Sequence, residues 1–204
     1  MNDIIENIKE VINSEALAIK GLNNQISVSY VKAIELIENC TGKVVVTGVG
    51  KSGHIGKKIA ATLSSTGTPA FFIHSTEGIH GDLGMIEEND VVILISNSGE
   101  TDEVLSLLPS LKKMQTKLIV ITSNECSSLA QYSDAVLAYQ YDGEADPLGL
   151  APTNSSTISL VIGDALAVTL SKRKHFTEEN FHLYHPGGSL GERIATKKSN
   201  IEKL

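Results

Sequence analysis

The sequence predicts an α/β protein: a doubly wound, Rossmann-like, five-stranded parallel sheet flanked by helices, with a helical extension in front of it. Three observations predict it. Five short apolar runs rich in β-branched residues recur along the chain, helical segments fall between several of them, and two strand-to-helix turns are crowded with glycines or hydroxyl side chains. At 204 residues the chain is long enough for one well-buried domain and short for two.

Residues 1–40 read as helix. Ile5, Ile8, Ile12, Ile19 and Leu22 lie near one face at helical spacing, and Val28, Val31, Ile34 and Ile37 form a second run. Asn23-Asn24-Gln25 separates the two. This segment is expected to pack on the domain or on a partner subunit, leaving residues 41–197 as the domain and 198–204 as a tail.

The period then changes. Lys43–Val49 is a short β-branched run closed by glycine, which suits a strand buried on both faces. Ala70–His74, Asp90–Ser96, Lys117–Thr122 and Ala135–Tyr139 repeat the pattern. Helical segments lie between at Ile55–Ser65, Glu103–Met114 and Ser127–Tyr132, so right-handed crossovers and a parallel sheet follow. The loop Asp142–Pro152 leads into an apolar helix at about Ser155–Ser171, and the polar tail Thr177–Leu204 carries two of the six histidines.

The net charge of −7 argues against nucleic acid or an anionic membrane as partner. It leaves room for an anionic substrate, because a nest of backbone N–H groups holds phosphate on an acidic protein. Cys40 and Cys126 show no CxxC or pairing pattern, as expected of reduced thiols. The start, Met1–Glu6, lacks a basic region followed by an apolar stretch, and no apolar run approaches the roughly 20 residues that span a bilayer. A cytoplasmic protein is expected.

In such a sheet ligands sit beyond the carboxyl ends of the strands. The turn Ser96-Asn97-Ser98-Gly99-Glu100-Thr101 follows the third strand and places three hydroxyls and a glycine just before a helix. Its hydroxyls and amides can converge on one phosphate, aided by the helix dipole. The plain alternative is a helix cap, which needs only one hydroxyl. The turn after the first strand, Gly48-Val49-Gly50-Lys51-Ser52-Gly53, meets part of a dinucleotide fingerprint. No acidic residue closes the second strand to take a ribose, and the Walker spacing fails, so nucleotide binding is disfavoured.

At these two turns the sequence resembles the sugar isomerase (SIS) domain family. Further segments narrow the resemblance to D-arabinose 5-phosphate isomerases: Ile79–Met85 (IHGDLGM), Pro147–Thr153, Gly163–Ala167 and His185–Gly191 (HPGGSLG). With the two turns they cover residues 43–195 in order. The resemblance implies the SIS fold and interconversion of D-ribulose 5-phosphate and D-arabinose 5-phosphate. The latter feeds synthesis of the eight-carbon acid sugar Kdo of lipopolysaccharide and some capsules. Many members carry two CBS modules after the SIS domain. This sequence ends at Leu204, so a short form without that pair is expected.

Such an isomerisation passes through a cis-enediol and needs a base near C1 and C2, a donor for the developing oxyanion, and a group that opens the sugar ring. No metal or organic cofactor is required, and the histidines show no HxxxH or HxH spacing. Lys51 lies in the first glycine turn, where its ammonium could meet phosphate or the enediolate oxygen; a turn lysine is ordinarily a solvated charge. Glu103 follows the phosphate turn, where a carboxylate also favours the helix dipole. With the resemblance, Glu103 and the loop residue Glu144 become acid–base candidates. His185, before Pro186-Gly187-Gly188, suits a proton shuttle or ring-opening group. His80 is a candidate for substrate hydroxyls or proton transfer. Substrate contacts are expected from Gly50, Ser52, Asp82, Ser96, Asn97, Ser98, Gly99 and Thr101.

His54, His74, His175 and His182 read as ordinary surface or core histidines, and Asp164 as a structural hydrogen-bonding partner. In the SIS family neighbouring subunits complete such sites, so a homotetramer is expected in which His185, and with it His80, acts across an interface. Two other readings stand beside this one. Another SIS isomerase, for a heptose or hexulose phosphate, would share the phosphate turn but lack the HGDLGM and HPGGSLG pair. A phosphosugar sensor would need a DNA-binding element, and residues 1–40 hold no basic patch.

Overall fold

The five runs become the five strands of one parallel sheet in the computed structural model, which describes residues 2–186. They are β1 (Val44–Gly48), β2 (Ala70–His74), β3 (Val91–Ile95), β4 (Lys117–Thr122) and β5 (Ala135–Ala138), in the order β2-β1-β3-β4-β5. Every residue of β1 and β3 is buried, which is why neither run alternates with polar residues. In register, Gly48 pairs with His74 on one side and Ile95 on the other. The carboxyl ends of these three strands therefore lie side by side.

Helices cover both faces. On one, Val44, Val46, Ile93, Ile95 and Ile121 pack with Ile59 and Leu63 of α3 (Gly50–Ser65), Ile162 and Leu166 of α8 (Asn154–Arg173), and Ala33 and Ile37 of α2 (Val28–Glu38). A Cβ on Gly163 would run into Ile59, so α3 and α8 touch almost backbone to side chain. On the other face, Val45, Val92, Leu94 and Val120 meet Leu107, Leu111 and Leu129.

The fold expected from the sequence is the fold found, with differences in detail. The helix after β1 begins at Gly50, five residues before its apolar period becomes visible, because Gly53 and Gly56 pack close against the Gly48 carbonyl and Phe72. Tertiary contact there overrides the poor helix propensity of glycine. The expected helix Glu103–Met114 is two pieces, α5 (Asp102–Leu105) and α6 (Leu108–Lys113). Pro109 sits at the start of α6, and with no N–H to donate it cannot continue the helix before it. Three short elements come without a forecast: α4 (Ser75–Ile79), a 3-10 turn at Asp82–Met85, and α9 (Glu178–Tyr184). α7 (Ser128–Tyr132) and the break at Asn23–Gln25 fall where the sequence puts them.

In α1 (Asn2–Leu22) the isoleucine stripe stays wet in the protomer: Ile5, Ile8 and Ile12 are 48%, 56% and 61% exposed, while Leu22 is buried. Among the described residues no helix is long and apolar enough to cross a membrane. The Gly187–Gly191 part of the HPGGSLG segment, the boundary at residue 197 and the 198–204 tail lie outside the described residues.

Candidate active site

From β1 the chain runs outward to β2, then crosses back to form β3 on the other side of β1. α3 therefore packs on one face of the sheet and the helices after β3 on the other. Where the winding reverses, the turns after β1 and β3 frame a crevice at the carboxyl edge. A cavity of about 640 Å³, lined by Lys32, Cys40, Asp90 and Lys117 among others, opens beside residues at the amino edge, the wrong end for such a ligand.

The first turn delivers the amino end of a 16-residue helix to this crevice. Val49, the residue before α3, offers no side chain to cap it, and among the described residues its leading amides are left for a ligand. Gly50 adopts φ +59°, and a Cβ there would meet nothing within 4 Å. Lys51 is exposed and has no hydrogen bond or ion pair among the described residues, and Ser52 beside it is half-buried.

In the second turn Ser96 is buried, its hydroxyl 2.7 Å from that of Thr101 and accepting from the Gly99 amide at 3.0 Å. The exposed Ser98 hydroxyl accepts from the Glu100 amide. None of these hydroxyls caps α5, although a single cap would have been the simpler use. Among the described residues the amides of Ser98, Thr101 and Asp102 have no acceptor. Because α5 has only four residues, the helix dipole expected at this turn is slight; the long dipole here is that of α3.

Asn97 points inward. Its carboxamide oxygen accepts from the Tyr139 phenol at 2.8 Å and its nitrogen donates to that of Tyr141 at 3.0 Å. Its carbonyl takes the hydroxyls of Thr122 and Ser123. Gly99 is fixed by its surroundings: φ is +68°, and a Cβ would overlap Ser127, whose hydroxyl accepts from the Ala130 amide at the start of α7. Gly99→Ala is expected to destabilise by roughly 3 kcal/mol from left-handed strain plus overpacking, a fall of about 10 °C in a thermal melt. An unchanged melting temperature would refute this account of the turn.

Glu144 reaches the site through its partners. Oε1 accepts from the Tyr141 phenol at 3.0 Å, and Oε2 from the Thr153 amide and hydroxyl and the Ser155 amide at the start of α8. Burial opposes its charge, but the hydroxyl and amide of Ser155, the Thr153 amide and the Tyr141 phenol outweigh it and hold the carboxyl below its ordinary range. Glu103 is the second residue of α5, in its first turn, and is exposed. His80 and Asp82 are exposed after α4, which starts at the end of β2 and packs Gly78 against Leu107.

His185 is elsewhere. It follows α9, its Nδ1 2.9 Å from the Phe181 carbonyl and its ring stacked on Phe181 at 3.9 Å. The neighbouring Tyr184 stacks on Phe176, which covers Gly67 at the far end of α3 from Lys51. The length of α3 puts about 20 Å between them. Thus Lys51, Ser52, the 96–101 turn, Glu103 and Glu144 gather in one protomer, His80 and Asp82 stand at the same edge, and His185 does not join them. Sequence reasoning missed Tyr139, Tyr141, Thr122, Ser123 and Ser127 around the turn; the available signal was the Tyr-x-Tyr at the end of the fifth run.

A parallel sheet of this order with a hydroxyl-rich turn at its reversal point defines a doubly wound α/β domain whose carboxyl edge offers an anion-binding turn. Residues 36–169 match the SIS domain model, and the chain belongs to that family. It is 48% identical over 199 residues to "Arabinose 5-phosphate isomerase KpsF" of Escherichia coli O6:H1, covering 97% of this chain and 61% of that protein. It is 52% identical to "Arabinose 5-phosphate isomerase KdsD" of Salmonella typhi over 95% of this chain and 59% of that one. The chain thus spans about three fifths of the length of these relatives. A solved structure from E. coli CFT073, in complex with arabinose 5-phosphate, superposes with a TM-score of 0.89 at 51% identity, covering 91% of this chain and 98% of that one.

Proposed function

We propose that this chain is an aldose–ketose isomerase that interconverts D-ribulose 5-phosphate and D-arabinose 5-phosphate. The observation that carries the reading is the pairing of the 96–101 turn, with its exposed Ser98 and amides that have no acceptor among the described residues, with the uncapped start of α3 and the exposed Lys51. The named relatives and the structural neighbour with its bound pentose phosphate support the same substrate. Its product would supply Kdo for lipopolysaccharide or capsule, in the cytoplasm, where free thiols such as Cys40 and Cys126 stay reduced.

In this reading the turn grips the phosphate, with Gly99 shaping it and Ser96 and Thr101 bracing one another. A base removes a proton from C1 of the ketose while the C2 oxygen gains one, giving the cis-enediol. C2 then takes a proton and the C1 hydroxyl gives its proton up, leaving the aldehyde. Lys51 and the leading amides of α3, including those of Gly50 and Ser52, meet the oxyanion. Glu103 and Glu144 are the carboxylates that move protons at C1 and C2. His80 and Asp82 address the sugar hydroxyls, and His185, from a neighbouring subunit, opens the ring. The wet face of α1 and the separation of His185 from Lys51 support a homotetramer with shared sites.

The test is turnover of ribulose 5-phosphate and arabinose 5-phosphate beside hexulose and heptulose phosphates, with and without chelator. Exchange of the pentose pair, undiminished by chelator, is expected. Preference for a longer sugar, or a loss that only added metal restores, would overturn the proposal.

A further inference from the structure

We infer that Tyr141 is a positioning residue of this site, its phenol holding the Glu144 carboxylate and the Asn97 carboxamide of the phosphate turn in one arrangement. The inference rests on the proposed function, since it gives the phenol a task through two groups that serve the sugar.

The hydrogen bonds leave one polarity. Tyr139 donates to the Asn97 oxygen at 2.8 Å, so the Asn97 nitrogen must face Tyr141, and it does so at 3.0 Å. A phenol that accepts there has its single proton left for Glu144 Oε1, also at 3.0 Å. The other carboxylate oxygen is bound by Thr153 and Ser155 at the start of α8, where Thr153 supplies no side-chain cap. Glu144 therefore spans from α8 to Tyr141, and Tyr141 from Glu144 to the turn. Residues 97 and 144, far apart in sequence, are braced against each other through one oxygen atom.

The remaining groups facing this carboxylate are few. Ser14 and Gln25, from α1 and the turn after it, line the cleft beside it with Asn154 of α8 and Asp142 of its own loop. Tyr139 lies behind Tyr141, the rings tilted by 43° with 5.9 Å between their centroids. Asp142 is the one other charged group lining that cleft among the described residues.

Tyr141→Phe in the full chain keeps the ring and removes only the hydroxyl. We expect kcat/KM to fall about 10-fold or more, since a hydrogen bond to a charged group is lost. We also expect the acid limb of the profile to move to higher pH, because Glu144 loses a donor that favours its charged form. Tyr139→Phe loosens the same turn but leaves the Tyr141 hydroxyl beside Glu144, so it should raise KM and move the acid limb less than Tyr141→Phe does. An unchanged Tyr141→Phe enzyme, or the same pH shift in Tyr139→Phe, would overturn the inference. If the native chain turns over neither pentose phosphate, the proposed function fails instead. The bond is then read by ¹³C NMR titration of the Glu144 carboxyl, assigned with Glu144→Gln: its pKa rises in Tyr141→Phe, and a constant value sinks the inference.

Discussion

Lys51→Ala lowers kcat for arabinose 5-phosphate by about 10²–10⁴-fold and leaves the melting temperature nearly where it was. The two halves of this expectation have separate causes. The side chain is exposed and has no partner among the described residues, so its removal takes nothing from the folded state; surface changes of that kind stay within about 0.5 kcal/mol. Yet the ammonium leaves from beside the uncapped start of α3, where the proposed mechanism builds charge on the enediolate. Parallel measurement of kcat and thermal stability checks both. Near-native turnover would remove Lys51 from the chemistry.

His185→Ala is expected to be as inactive as Lys51→Ala, and mixing the two should restore activity. Each variant alone lacks one component at every site. In a hybrid pair, one site receives Lys51 from one protomer and His185 from the other, while the second receives neither. Random assembly then gives about a quarter of native activity. Placing both substitutions on one chain and mixing it with native protein restores no such site beyond the native share. Failure of the two single variants to complement would mean that each protomer uses its own His185, against the roughly 20 Å implied by α3.

The sheet was legible because burial on both faces forces continuous apolar runs, and Val44–Val46 and Val91–Ile95 could hardly be anything else. The helix after β1 was harder to read from its start, since Gly50, Gly53 and Gly56 serve close packing rather than propensity. Pro109 did signal the break between α5 and α6, and the apolar period on either side hid it. α9 starts from a reciprocal cap between Thr177 and Asn180, with asparagine where Glu or Gln is the usual partner, and so escaped notice. At the site, the turns could be read because their hydroxyls and glycines are consecutive. The brace around Asn97 could not: Tyr139 and Tyr141 lie more than 40 residues away, and only the folded sheet brings them to it. Nor does any local pattern tell that Glu144 is held by four donors, or that α9 folds toward the far end of α3.

The aliphatic stripe along α1 bears on how the protein matures. A freshly synthesised subunit can complete its sheet and both cores alone, yet it still shows water Ile5, Ile8 and Ile12. Covering the exposed half of each such side chain releases roughly 1 kcal/mol, about half of what full burial gives, and nothing among the described residues covers it. In the proposed homotetramer the last stage of becoming active is then an encounter between copies, second order in the chain, so scarce expression delays it more than slow folding does.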